Sequence, residues 1–257
     1  MARIIAIVNQ KGGVGKTATA VNLAAALAAT ERRVLLLDCD PQGNASTGFG
    51  LRKGGPHPSV YHFLIGKNSL EQVVRTVMAP WLQVVPSSPD LSGAEIELVT
   101  APARESWLRK RLKGVVDDYD IILLDCPPSL GLLTVNALVA ADAVLVPLQC
   151  EFYAMEGMSQ LLRTLDLLRR GLNPTLELDG ILLTMFEQAA VGQVQIAQEV
   201  RQHMGDKVFK TVIPRHAAVS EAPSFGKPVV WYDLHSVGAQ AYLRLAQEVL
   251  TKGKKSP

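Results

Sequence analysis

The chain has 257 residues, of which 48% are hydrophobic and 19% charged, and 26 Lys/Arg against 24 Asp/Glu leave a formal net charge of +2. That length and apolar content support one large buried core and exclude an intrinsically disordered chain. No apolar run reaches the roughly 18 residues that a membrane span needs, and Met1-Ala2-Arg3 leads into a strand-like run without a signal-peptide pattern.

Short apolar runs alternate with helix-period segments throughout. The expected strands are Ile4–Asn9, Val34–Asp38, Leu82–Pro86, Ile121–Asp125, Ala143–Leu148, Leu178–Met185 and Val208–Ile213. Most are nearly continuous in Ile, Val and Leu, as parallel strands buried on both faces are. The expected helices are Thr17–Ala29, Ala103–Lys113, Leu132–Ala140, Gly157–Arg170, Val194–His203 and Gly238–Leu250. This alternation predicts an α/β fold, a single doubly wound, mostly parallel sheet with helices on both faces. One domain is expected over residues 1–250, with Arg52–Ser59 as a turn-rich loop and residues 251–257 as a basic flexible tail.

The first strand runs into Lys11-Gly12-Gly13-Val14-Gly15-Lys16-Thr17, and Ala18 opens an Ala-rich helix. Glycines let backbone N–H groups turn inward around an anion, and the helix N-terminus adds partial positive charge. Lys16 can reach the β- and γ-phosphates of a nucleotide, and the Thr17 hydroxyl can ligate Mg²⁺. The general phosphate-loop motif begins with glycine at the place of Gln10; here Gln stands there and a second lysine, Lys11, follows.

The second strand closes on Asp38-Cys39-Asp40-Pro41-Gln42-Gly43-Asn44. Two acids two residues apart at a strand's C-terminal end sit at the ligand edge of an open α/β sheet. The fourth expected strand closes on Asp125-Cys126-Pro127-Pro128, a hydrophobic run ending on an aspartate, so that Asp125 would hold Mg²⁺ through water. Cys39, Cys126 and Cys150 are odd in number and lack zinc spacing, which fits a reducing cytosol. From Val200 to Pro257 nine Lys/Arg face four Asp/Glu, a balance that suits a polyanionic partner or a solvated tail.

The loop resembles the deviant Walker A motif, K-G-G-x-G-K-[ST], of the ParA/MinD/nitrogenase-iron-protein ATPases. Segments such as Leu133–Leu138, Glu151–Gly157, Gly180–Phe186 and Ser220–Pro228 are similar to the chromosomal ParA (Soj) branch in particular. The resemblance implies an ATP-dependent homodimer that hydrolyses ATP with Mg²⁺, binds DNA without sequence preference, is stimulated by a ParB-like protein and moves DNA. It implies that Lys11 reaches the partner's nucleotide, that Asp40 positions the attacking water, that Asp38 lies in the magnesium shell, and that Pro214 and His216 line the adenine. The cysteine positions do not resemble those of the iron protein's cluster. The last helix, Gly238–Leu250, reads as a packing helix rather than the membrane-targeting helix of MinD.

The chain departs from the branch in one respect. Where the pattern has arginines for DNA phosphates, this sequence has Ala189 and Ala218. Arg201, Lys207, Lys210, Arg215 and Lys227 remain, as do Arg104, Arg109, Lys110, Arg111 and Lys113 on the Ala103–Lys113 segment. Two roles stay open: a DNA-partition ATPase with a shifted or weakened DNA surface, or a positioning switch that acts on a protein or pole-localised partner. A metabolic enzyme transferring phosphate to a small molecule would need an acceptor pocket for which the sequence carries no motif.

Overall fold

A computed structural model of the chain describes residues 1–52, 57–151 and 153–252. In order these form β1 (Arg3–Ile7), α1 (Lys16–Ala28), β2 (Val34–Asp38), α2 (Asn44–Gly48), α3 (Val60–Leu64), α4 (Leu70–Val73), β3 (Arg75–Met78) and β4 (Leu82–Val85). Then come α5 (Leu91–Glu97), α6 (Trp107–Leu112), β5 (Ile121–Asp125), α7 (Leu132–Ala140), β6 (Ala143–Gln149), α8 (Ala154–Gly171) and β7 (Glu177–Phe186). The last elements are α9 (Val191–Met204), β8 (Val208–Pro214), α10 (Ala217–Glu221), α11 (Val229–Tyr232) and α12 (Val237–Lys252). Part of the Arg52–Ser59 segment, Phe152, and the end of the expected tail with Lys254 and Lys255 lie outside the described residues, whereas Thr251 and Lys252 belong to α12.

The eight strands form one sheet in the order β3-β4-β2-β5-β1-β6-β7-β8. All neighbours run parallel except β3, which pairs antiparallel with β4 at one edge. Side chains alternate between two cores, as a period of two requires. In β1, Ile4 and Ala6 pack on one face and Ile5 and Ile7 on the other. One core gathers α3 and α5 to α9, and the opposite core gathers α1, α11 and α12. α12 also guards the outer edge, where Glu248 accepts the Lys210 and Thr211 backbone N–H groups of β8. Charged caps of this kind keep an edge strand from pairing with another chain.

Parallel strands place all the loops after β1, β2, β5, β6, β7 and β8 at one end of the sheet. The strand order reverses at β1, which is flanked by β5 and β6, so the crevice for a ligand opens above β1.

The segment after β2 is locked to the segment before α11 by backbone-to-backbone packing. Gly226 has φ +62°, and a Cβ there would lie 2.7 Å from the Gly50 Cα. Gly226→Ala combines left-handed strain with an overlap that no side chain can relieve, so a loss of about 3 kcal/mol is expected in the denaturant midpoint. A loss below about 0.5 kcal/mol, the scatter of ordinary surface changes, would show that the contact yields freely.

Candidate nucleotide site

The loop between β1 and α1 is braced before any ligand arrives. Asn9 anchors it to β6 by donating Nδ2 to the Pro147 carbonyl at 2.7 Å, and its Oδ1 accepts the Lys11 N–H at 3.0 Å. Thr184 of β7 donates Oγ1 to the Val14 carbonyl at 2.8 Å. Gly13 and Gly15 have φ of +76° and +85°, a region open to glycine and costly for other residues. Lys16 is buried at 7% exposure and donates Nζ to the Lys11 carbonyl at 2.9 Å. Burial lowers the Lys16 pKa, and Asp125, Cys126 and Asp40 work against that shift. Lys11 points away from this pocket and pairs with Glu151, beyond the end of β6.

The register aligns Asp38 directly with Asp125 on neighbouring strands, and both are fully buried. Asp38 accepts the Ser46 N–H and Oγ–H on one oxygen, at 2.7 and 2.6 Å. Neither oxygen of Asp125 has a hydrogen-bond partner of ordinary geometry. Burial, with the Asp38 charge added, pushes the Asp125 carboxyl well above the usual carboxylate range, and Thr17 and Lys16 only partly offset this. Burial also raises Asp38, against the pull of the Ser46 hydrogen bonds. Two adjacent buried carboxylates are costly unless a cation neutralises them. A hydrated magnesium ion fits this donor set, since it prefers oxygen and keeps waters that would donate to the bare oxygens of Asp125.

A cavity of about 520 Å³ opens above these residues, walled by the loop glycines, Lys16, Thr17, Ala18 and Asp40. Asp40 is 8% exposed, and one of its oxygens accepts the Gln42 N–H at 2.9 Å. At the far end Pro214 lines the cavity, together with Met185, Ser220, Pro223 and Tyr242. His216 accepts the Ala218 N–H on Nδ1 at 3.3 Å, which caps α10, and it is not among the residues that wall the cavity. Met185 carries φ +49°, an uncommon conformation for a residue other than glycine, right at the cavity wall.

A family model described as an AAA domain matches residues 2–178. A chromosome partitioning protein ParA of Myxococcus xanthus is 52% identical over 256 residues, covering 99% of this chain and 90% of the relative. The sporulation initiation inhibitor protein Soj of Bacillus subtilis is 50% identical, covering 98% of this chain and all of the relative. The chain belongs to the ParA/Soj family. Among solved structures, the cobyrinic acid a,c-diamide synthase of Mycobacterium smegmatis with bound ADP and magnesium superposes with a TM-score of 0.87 at 35% identity, covering 99% of this chain and 96% of that one. Its name denotes a different reaction, and the higher identities over full length place this chain with ParA/Soj.

Within a ParA/Soj frame the basic residues separate into distinct groups. Arg215 pairs with Glu187 at 2.6 Å with both side chains about half exposed, Ala189 is exposed, and Ala218 is buried. On α6, Arg109 and Arg111 donate to the carbonyls of Leu172 and Leu64, and just before it Arg104 pairs with Glu105, while Lys110 and Lys113 are exposed. Arg201, Lys207, Lys210 and Lys252 instead surround a second cavity of about 610 Å³ with Arg3, interleaved with four carboxylates. That cavity lies at the opposite end of the sheet, where β7 and β8 begin. Among the described residues no helix is long and apolar enough to cross a membrane.

Proposed function

We propose that this chain is an Mg²⁺-dependent ATPase that dimerises around ATP, hydrolyses it slowly, and drives chromosome or plasmid partitioning through non-specific DNA binding and a ParB-like activator. The observation that carries the reading is the in-register pair Asp38 and Asp125 beneath a glycine loop whose lysine, Lys16, is buried beside them. The protein would act in the cytoplasm, associated with the nucleoid.

The loop N–H groups and Lys16 bind the phosphates of ATP. Thr17 and, through water, Asp38 and Asp125 would hold magnesium. When bound, the ion would supply positive charge to the β- and γ-phosphate oxygens. Asp40, at the cavity wall, accepts a hydrogen bond from water and directs its oxygen at the γ-phosphorus, which leaves as phosphate from ADP. Lys11 crosses to the partner's nucleotide, where its ammonium meets charge building on the transferring group. Departure of phosphate removes that target and the dimer opens.

A second reading, in which the dimer positions a protein or pole-localised partner, is favoured by Ala189 and Ala218. DNA contact would then be weak, since the remaining cluster around Lys207 and Lys210 shares its cavity with Glu177, Asp179, Asp206 and Glu248. Retention on DNA by the Asp40→Ala protein, with ATP and with ADP across a salt series, separates the two. Partitioning through DNA predicts ATP-dependent retention whose log affinity falls with log salt by roughly 0.9 per phosphate contact. No retention at low salt, with the ATP dimer verified by size, would assign the second reading.

A further inference from the structure

Ser46 is fully buried in α2, and its hydrogen bonds have only one consistent arrangement. The Ser87 backbone N–H, which can only donate, points at the Ser46 Oγ at 3.0 Å. A hydroxyl carries one hydrogen, so that of Ser46 is left for Asp38 Oδ2 at 2.6 Å. The Ser46 N–H reaches the same oxygen at 2.7 Å. Asp38 Oδ2 is thereby saturated from one side, whereas Oδ1 has only a long contact from the Asp40 N–H at 3.4 Å.

We propose that Ser46 is a positioning residue for the magnesium carboxylate: it fixes the rotation of Asp38 so that Oδ1 is presented to the ion's shell, and it ties that carboxylate to the segment after β4. The proposal rests on the reading of Asp38 as a magnesium carboxylate and names what orients it. Three segments meet at this hydroxyl: the end of β2, the α2 turn eight residues on, and, from 41 residues further along the chain, Ser87, which leads to α5. Outer-shell hydrogen bonds of this kind typically govern metal affinity by 10- to 100-fold, because an unheld carboxylate must be ordered when the ion arrives.

The test is the affinity of a fluorescent ATP analogue for the full chain, titrated with magnesium and repeated in chelator. Ser46→Ala is expected to raise the magnesium concentration for half-saturation by about 10-fold or more and to leave affinity in chelator within about twofold. Ser46→Cys, which keeps the volume but donates weakly, should show most of that shift and guards against a folding defect in the alanine variant. Ser46→Thr, which keeps the hydroxyl, should retain the wild-type magnesium dependence. A magnesium half-saturation unchanged in both Ser46→Ala and Ser46→Cys, with Asp38→Asn strongly shifted, would overturn the role of Ser46 alone. An unshifted Asp38→Asn would instead bring down the magnesium reading on which it rests.

Discussion

Replacing Lys16 with alanine is expected to remove nucleotide binding, with affinity falling by at least about 100-fold. Two effects act in the same direction. The ammonium is the cation nearest the loop's anion cradle, and its attraction for a phosphate at 4 Å is about 4 kcal/mol at an effective dielectric of 20. It is also the charge that faces Asp125 and Asp40 from within the site. Without it an incoming polyphosphate meets buried carboxylates with nothing from the loop side chains to offset them. Calorimetric titration with ATP and magnesium checks this, and an affinity within a few-fold of wild type would sink the assignment of the loop. Lys16→Gln should behave nearly as badly, because a neutral amide keeps a donor but not the charge.

Asp40→Ala is expected to lower turnover by about 100- to 10,000-fold and to leave ATP affinity nearly unchanged. The carboxylate lines the cavity and is held by the Gln42 N–H, which suits the proposed role of orienting water. A site that binds ATP and cannot cleave it should accumulate the closed dimer. Light scattering after size exclusion with ATP should show a doubled mass, and with ADP a monomer. A monomer under both conditions would contradict the coupling of hydrolysis to dimer opening.

The parts of the fold that were legible in sequence are those whose signal is local. The central strands announce themselves as Ile, Val and Leu runs because both faces are buried, and the expected Val34–Asp38, with Asp38 at its end, matches β2 residue for residue. β3 escaped because Arg75–Met78 is a partly exposed edge strand with no apolar alternation. The one-turn helices α2, α3, α4, α10 and α11 are too short to display a helical period. The phosphate loop and its carboxylates were legible because their spacing is the chemistry. Thr184 and Tyr242 were not, because their part in the site depends on β7 and α12 returning to the loop from far along the chain. The capping role of His216 is hidden from the sequence for a related reason: only the turn of the imidazole toward Ala218 shows it.

The Lys11–Glu151 contact has a thermodynamic corollary. Both side chains are close to half exposed, at 45% and 43%. An ion pair so well hydrated is worth about 0 to 1 kcal/mol, comparable to thermal energy. Lys11 therefore resembles a door on a light spring: releasing it from Glu151 costs almost nothing. In the proposed dimer, the selectivity of closure for one nucleotide over another would then reside in what Lys11 finds on arrival, the terminal phosphate, rather than in what it leaves behind.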